Sequence, residues 1–264
     1  MSLKDKRFFL LDMDGTIYLD SNLFDGTLDF LDYVKRSGGR YMFLTNNSSK
    51  STESYVHKLA AIGIESSADD FLTSTDATCL YLNEHYKGKK FYVSGTASFE
   101  SQLKSEGIIT TTKIEDDIFG IVMGYDTELT FKKLDDVCRL LSERELVYIA
   151  ANPDWVCPTK YGYVPDCGSV AEMIRKATGK TPHFIGKPRP EMILLAMNKY
   201  GYTREETLMV GDRVYTDIAS GYNAGVDTVL VLSGEGTRED AESTHTKPTY
   251  IMDSIKDILR EISK

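Results

Sequence analysis

Two aspartates, Asp12 and Asp14, lie one residue apart at the end of the apolar run in "FFLLDMDGT", directly before a glycine. A second pair of acids, Asp212 and Asp217, follows the apolar run in "TLMVGDRVYTD". Carboxylates that converge at one edge of a sheet repel one another unless a cation lies among them. Since oxygen ligands favour Mg²⁺, the four acids indicate a magnesium site.

Two further polar residues complete a set that is suited to phosphate chemistry. Thr45 ends the apolar run in "YMFLTNNSS", and Lys187 lies at a helix entrance in "GKPRPEM". A hydroxyl and its neighbouring backbone N–H groups can donate to phosphoryl oxygens, and a lysine supplies a fixed positive charge. A carboxylate nucleophile, a metal site, a hydroxyl and a lysine together indicate phosphoryl transfer.

The elements that must position these residues follow a strand–helix rhythm along almost the whole chain, which predicts βαβ units. The strand-like runs are continuously apolar, as expected for a parallel sheet covered by helices on both faces. Strands are predicted in "RFFLLDM", "RYMFLTN", "KKFYVSG", "FGIVMG", "LVYIAAN", "TLMVGD" and "DTVLVL". Ligands of such sheets gather beyond the carboxyl ends of the strands, where Asp12 and Asp14 are expected.

The two ends of the chain are predicted to share one sheet, interrupted by an inserted domain with the same rhythm. We expect a core domain over residues 1–76 and 181–264 and an inserted domain over 77–180. The glycine- and proline-rich segment "TGKTPHFIGKPRPEM" is the expected return crossing. Pro190 within it suits the first turn of a helix.

Composition excludes several classes of function. The 264 residues carry 31 basic and 40 acidic side chains, and the resulting charge of −9 argues against nucleic acid as a partner. No apolar run approaches the length of a membrane span, and the first residues do not resemble a signal peptide, so we expect a cytoplasmic protein without a membrane partner. The four cysteines show no zinc-binding spacing and are expected to stay reduced.

The stretches "DMDGT", "LTNNSS", "GKPRPEM" and "GDRVYTD", in this order, resemble the four motifs of the haloacid dehalogenase (HAD) superfamily. Their spacing is similar to that of NagD-like phosphatases with a class IIA cap, and the resemblance covers essentially the whole chain. It implies an α/β fold: a Rossmann-like parallel-sheet HAD core with an inserted α/β class II cap domain of subtype A, catalysis in the core and substrate specificity in the cap.

The resemblance also implies a different chemical role for each of the acids. Asp12 is expected to attack phosphorus and form an aspartyl-phosphate. Asp14 is expected to protonate the leaving group and then to deprotonate the water that hydrolyses the intermediate. Mg²⁺ would be held by the carboxylates of Asp12 and Asp212 and by the backbone carbonyl of Asp14, with Asp217 just outside this ring of ligands.

Further residues are expected to bind the substrate. Thr45, Asn46 and Lys187 would contact the phosphoryl oxygens. In the cap, "ANPDWVCP" followed by "YGYVPDCGSV" is similar to the family's stretch T-N-x-D, then P-G-x-G, although Ala151 replaces the threonine. Three polar residues there are expected to contact the leaving group: Asn152, Asp154 and Asp166. Three aromatic side chains there are expected to pack inside the cap: Trp155, Tyr161 and Tyr163.

The sequence predicts a Mg²⁺-dependent phosphatase of small phosphorylated metabolites, such as sugar phosphates or nucleoside monophosphates. Three alternatives use the same residues. A phosphoacceptor signalling module needs only one compact domain and no acid like Asp14, and an idle binding protein would have lost Asp12 or Asp14. A phosphotransferase or mutase differs only in how well it excludes water. The substrate is left open, and so is assembly into a homo-oligomer.

Overall fold

The computed structural model describes residues 2–48, 52–159 and 161–264. Ser49, in the motif "LTNNSS", lies outside the described residues. The chain divides into two compact units, which are described separately. The core unit comprises Met1–Thr45, Thr52–Leu72 and Lys187–Lys264, and the cap unit comprises Asn46–Ser51 and Thr73–Gly186. The insertion predicted at 77–180 falls within the cap unit.

The core unit is built on a six-stranded sheet. Its strands are β1 (Phe8–Leu11), β4 (Arg40–Thr45), β5 (Phe71–Thr73), β13 (Thr207–Gly211), β14 (Asp227–Val231) and β15 (Tyr250–Met252). They lie in the order β15-β14-β13-β1-β4-β5. All four residues of β1 are buried, and β1 pairs in parallel with β13 on one side and with β4 on the other. A short antiparallel hairpin of β2 (Tyr18–Leu19) and β3 (Asn22–Leu23) follows β1.

The core unit also contains helices, which bury apolar side chains. They are α1 (Thr27–Arg36), α2 (Thr52–Ala61), α7 (Glu191–Tyr200), α8 (Ala219–Ala224), α9 (Arg238–Ser243) and α10 (Ile255–Ile262). Helix α1 buries Phe30, Leu31 and Val34 at helical spacing in the same apolar cluster as strands β1 and β4. Pro190 directly precedes α7, as its fixed φ favours.

The cap unit has a parallel sheet of its own, made of β6 (Lys90–Ser94), β7 (Ile109–Thr111), β8 (Gly120–Met123), β9 (Val147–Ala150) and β12 (His183–Phe184). These strands lie in the order β12-β9-β8-β6-β7. A separate antiparallel hairpin consists of β10 (Val156–Thr159) and β11 (Gly162–Pro165). Its helices are α3 (Ser74–His85), α4 (Ala97–Ser105), α5 (Phe131–Glu143) and α6 (Cys167–Thr178). The α/β fold with a parallel-sheet core, predicted from the sequence, is confirmed.

The expectation that the cap's aromatic side chains pack inside it was wrong. Trp155, Tyr161 and Tyr163 are exposed by 61%, 82% and 72%. They lie on or beside the β10–β11 hairpin, and a two-stranded ribbon has too little surface to bury side chains on both faces.

In the described part of the chain, no helix combines the length and the apolar character that crossing a membrane requires.

Candidate active site

Three carboxylates meet at the carboxyl edge of the core sheet. Asp12 directly follows β1 and Asp212 directly follows β13; because these strands are parallel neighbours, their ends lie side by side. Asp217 joins them from a single π-helical turn, Val214–Ile218, which precedes α8. One carboxylate oxygen from each residue lies within 4.8 Å of the others, and Asp212 and Asp217 are buried. This wide turn brings Asp217 into the cluster.

Lys187 provides a positive charge inside this cluster. Its Nζ lies 2.5 Å from Oδ1 of Asp12 and 2.7 Å from Oδ1 of Asp217, and it donates to the Leu44 carbonyl at 3.3 Å. Burial lowers the pKa of Lys187, but the carboxylates of Asp12 and Asp217 raise it, and the net pKa lies above its usual value. The ammonium is therefore a permanent positive charge beside Asp12.

Burial and mutual repulsion raise the pKa of both sheet-end acids. Burial, followed by the charge of Asp217, raises the pKa of Asp12 to about 8, although Lys187 opposes the shift. The same two causes raise the pKa of Asp212 to about 6. Without a further positive charge, the cluster therefore holds protons near neutral pH.

The donor set fits a hard divalent cation. When all three carboxylates are ionised, the ammonium of Lys187 offsets only one of their three negative charges, which leaves two to be balanced. Oδ2 of Asp212 accepts from the backbone N–H of Glu235 at 2.8 Å, whereas its buried Oδ1 has no hydrogen-bond partner among the described residues. An unpaired buried carboxylate oxygen is costly, and coordination to a cation would satisfy it.

Glycines allow the backbone to approach these acids, a feature that the sequence reasoning missed. A Cβ atom placed on Gly234 would lie 2.0 Å from Oδ2 of Asp212, and one on Gly15 would lie 2.4 Å from the same oxygen. Gly15 also has a φ of +85°, which side-chain-bearing residues rarely adopt. Gly15 is visible in the sequence as part of "DMDGT", while Gly234 carries no signal beyond its place in "LSGEG".

Arg213 was also missed, although it stands in "GDRVYTD". Its backbone N–H donates to Oδ2 of Asp217 at 3.0 Å, and its Nε donates to Glu235 at 2.9 Å. Glu235 in turn supplies the N–H that binds Asp212. These contacts tie the loops after β13 and β14 together around the acids.

Asp14 lies apart from the buried cluster, and its side chain is 57% exposed. The Tyr18 hydroxyl donates to its Oδ2 at 3.2 Å, and Nζ of Lys58 lies 3.5 Å from its Oδ1. Neither partner was predicted. Lys58 lies on α2, 44 residues away from Asp14 along the chain. Asp14, the acid expected to give and take protons, is therefore more accessible to solvent than Asp12.

The predicted phosphate-binding residues Thr45 and Asn46 fall on either side of the unit boundary. Thr45 is the half-buried last residue of β4, and the preceding carbonyl, that of Leu44, accepts from Lys187. Asn46 belongs to the cap unit, where its Nδ2 donates to Oδ1 of Asp154 at 2.9 Å.

The three polar residues predicted to contact substrate form a network within the cap unit. Asn152 is fully buried; its Nδ2 donates to the Asn46 carbonyl at 2.8 Å, and its Oδ1 accepts from the Asp154 N–H at 3.0 Å. Asp166 caps the start of α6, and burial raises its pKa to about 7. Asp154 alone of the three is partly exposed.

A buried acid cluster with one lysine, set at the carboxyl edge of a parallel α/β sheet, defines the fold and site of a phosphoryl-transfer enzyme. Residues 9–109 match the haloacid dehalogenase-like hydrolase family, and residues 184–258 match a family described as HAD-hydrolase-like.

Three relatives illustrate the similarity. The acid sugar phosphatase of Staphylococcus aureus is 32% identical over 99% of this chain and 100% of its own. The structure of a 4-nitrophenylphosphatase from Thermotoga maritima is 36% identical, with a TM-score of 0.91 over 98% of both chains. That of a glycerol phosphate phosphatase from Mycobacterium tuberculosis, in complex with magnesium, is 26% identical, with a TM-score of 0.90 over 100% of this chain and 80% of its own. The chain belongs to the haloacid dehalogenase-like hydrolases, as a NagD-like phosphatase.

Proposed function

We propose that the protein is a Mg²⁺-dependent phosphatase that hydrolyses small phosphorylated metabolites through an aspartyl-phosphate intermediate. The observation that carries this proposal is the contact of Lys187 with Asp12 beside Asp212, at the end of adjacent parallel strands. The names of the relatives support it, since all three are phosphatases of small phosphate esters.

In the first half-reaction, a carboxylate oxygen of Asp12 attacks phosphorus and the bond from phosphorus to the leaving-group oxygen breaks. The electron pair passes to the leaving oxygen, which takes a proton from Asp14. Lys187, held between two carboxylates, offsets the negative charge on the phosphoryl oxygens. Thr45 and Asn46 add hydrogen bonds to those oxygens.

In the second half-reaction, water attacks the phosphorus of the aspartyl-phosphate and gives a proton back to Asp14. The bond between phosphorus and the Asp12 oxygen breaks, which releases inorganic phosphate and restores the carboxylate. Asp14 thus serves as acid and then as base, for which its solvent-exposed carboxyl group is suited.

The metal ion would be held by the carboxylates of Asp12 and Asp212 and by the backbone carbonyl of Asp14, with Asp217 beside them. When bound, Mg²⁺ supplies positive charge that lowers the cost of the charge developing on the phosphoryl group. The unpaired Oδ1 of Asp212 and the two unbalanced negative charges support this assignment. The magnesium in the mycobacterial relative points the same way.

Sugar phosphates are the favoured substrate class, because the curated relative is an acid sugar phosphatase that matches this chain over 99% of its length. Asp154, with partial exposure in the cap, is the residue that we place against the leaving group. A signalling or idle binding role is disfavoured by the presence of both Asp12 and Asp14.

A phosphate-release screen over phosphorylated metabolites tests the proposal. We expect Mg²⁺-dependent release from sugar phosphates and from 4-nitrophenyl phosphate, abolished by a chelator and restored by added Mg²⁺. Hydrolysis in plain water, without an acceptor sugar, separates a phosphatase from a mutase. Full activity in excess chelator, or no release from any phosphomonoester, would contradict the proposal.

A further inference from the structure

The carboxylate of Asp14 is held from one side by a buried tyrosine. Tyr18 is 0% exposed and belongs to the apolar cluster of the core unit. Its hydroxyl donates to Oδ2 of Asp14 at 3.2 Å, while its backbone carbonyl accepts from the Gly15 N–H at 2.8 Å. A ring packed on all sides has little freedom to move, so the hydroxyl is a fixed point beside an exposed carboxylate.

The direction of the Tyr18 hydroxyl hydrogen follows from Lys58. Nζ of Lys58 lies 2.9 Å from the Tyr18 oxygen and 4.2 Å from the centre of its ring. An ammonium group can only donate, so the Tyr18 oxygen must accept from Lys58. The single hydrogen of the hydroxyl is then free to point to Oδ2 of Asp14.

We propose that Tyr18 and Lys58 are positioning residues that hold the Asp14 carboxyl group in one orientation, with Oδ2 accepting from the Tyr18 hydroxyl and Oδ1 beside the Lys58 ammonium. This inference rests on the proposed function. As the bond from phosphorus to the leaving oxygen breaks, that oxygen takes a proton from the Asp14 carboxyl group. When water later attacks the aspartyl-phosphate, the Asp14 carboxylate takes a proton from the water.

Asp14 needs such support because it is 57% exposed and lies on the loop after β1. An exposed ion pair such as Lys58 with Asp14, at 3.5 Å, contributes little by itself. The hydrogen bond from the Tyr18 hydroxyl adds a fixed direction, and a carboxyl group rotated away from that orientation does not present its proton to the leaving group. A loss of orientation affects proton transfer more than substrate binding.

The test compares substituted phenyl phosphates, which differ in how much their leaving groups need a proton. For kcat/KM, which reports steps up to formation of the aspartyl-phosphate, we expect Tyr18→Phe and Lys58→Met to lose about tenfold more on phenyl phosphate than on 4-nitrophenyl phosphate. Lys58→Arg, which keeps a cation that only donates, should restore most of the loss. Tyr33→Phe is the matched control, since it removes a hydroxyl bonded to the Ile262 carbonyl at 2.7 Å elsewhere in the core unit.

Equal losses on both phosphates, or no loss in either variant, would overturn the positioning role while leaving the phosphatase proposal intact. The side chain of Lys58 is 35% exposed, so Lys58→Met gives a result even where Tyr18→Phe impairs folding. Failure of the unaltered enzyme to hydrolyse either phosphate would overturn the proposed function, and this inference with it.

Discussion

At the scale of single residues, Lys187 shows how the charges of the site are balanced. Its ammonium touches two of three clustered carboxylates, and the third, Asp212, keeps an unpaired buried oxygen. Burial raises the pKa of Asp12 to about 8 and that of Asp212 to about 6, so the cluster binds protons when no other cation is present. A proton and a metal ion therefore compete for the same oxygens.

This competition makes Mg²⁺ affinity depend on pH. Binding requires both carboxylates to be ionised, so the affinity should rise about tenfold per pH unit between about 6 and 8, and level off above that range. Below about 6, where Asp212 is protonated as well, the fall should steepen. Calorimetric titration with Mg²⁺ at several pH values measures this. An affinity that is constant over the range would contradict the raised pKa values.

At the scale of elements, the loops that follow the strands bring the backbone against the acids. Gly234, after β14, lies so close to Asp212 that no side chain fits between them. The neighbouring Glu235 N–H donates to that same carboxylate. The loop after β14 therefore orients an acid carried by the end of β13.

Gly234→Ala should abolish Mg²⁺ binding and activity, because the added Cβ would occupy the space 2.0 Å from Oδ2 of Asp212. The matched control is Gly38→Ala, where φ is +75° and nothing lies within 4 Å of the added Cβ. We expect that control to cost about 1 kcal/mol of unfolding free energy and to retain Mg²⁺ binding. Calorimetry and thermal unfolding of both variants distinguish the two effects. Normal metal affinity in Gly234→Ala would refute the role of this close approach.

Strands and helices were predictable where the sequence signal is local. Continuous apolar runs predicted the strands that precede Asp12 and Asp212, and four motifs in order indicated the family. Contacts that join distant positions were not predictable, because a single sequence does not show which side chains meet. Asn46 donates to Asp154 over 108 residues, and Lys58 reaches Asp14 over 44.

At the scale of the whole molecule, each of the two units has its own parallel sheet and its own apolar cluster. The core unit carries the acids and Lys187, while the cap unit carries Asn46 and the network of Asn152 and Asp154. This separation leads us to expect that chemistry and substrate choice respond to different substitutions.

Asp154→Ala should lower kcat/KM for a sugar phosphate at least about tenfold more than for 4-nitrophenyl phosphate, whose leaving group offers little to bind. Asn46→Ala is the matched comparison, since it removes the other partner of the 2.9 Å bond and should affect both substrates equally. Steady-state kinetics of the two variants measure this. Parallel losses in Asp154→Ala would show that Asp154 acts only by supporting Asn46.

The most direct test of the central claim is a rapid-quench experiment on Asp14→Asn with 4-nitrophenyl phosphate and Mg²⁺. The nitrophenolate needs no proton to leave, so Asp12 can still be phosphorylated, while the missing base slows hydrolysis of the intermediate. We predict a burst of about one nitrophenolate per enzyme and one phosphoryl group on the peptide that contains Asp12, found by mass spectrometry. Asp12→Asn, with its nucleophile removed, should show neither. Turnover by the unaltered enzyme, with no burst and no modified peptide in Asp14→Asn, would contradict the covalent mechanism.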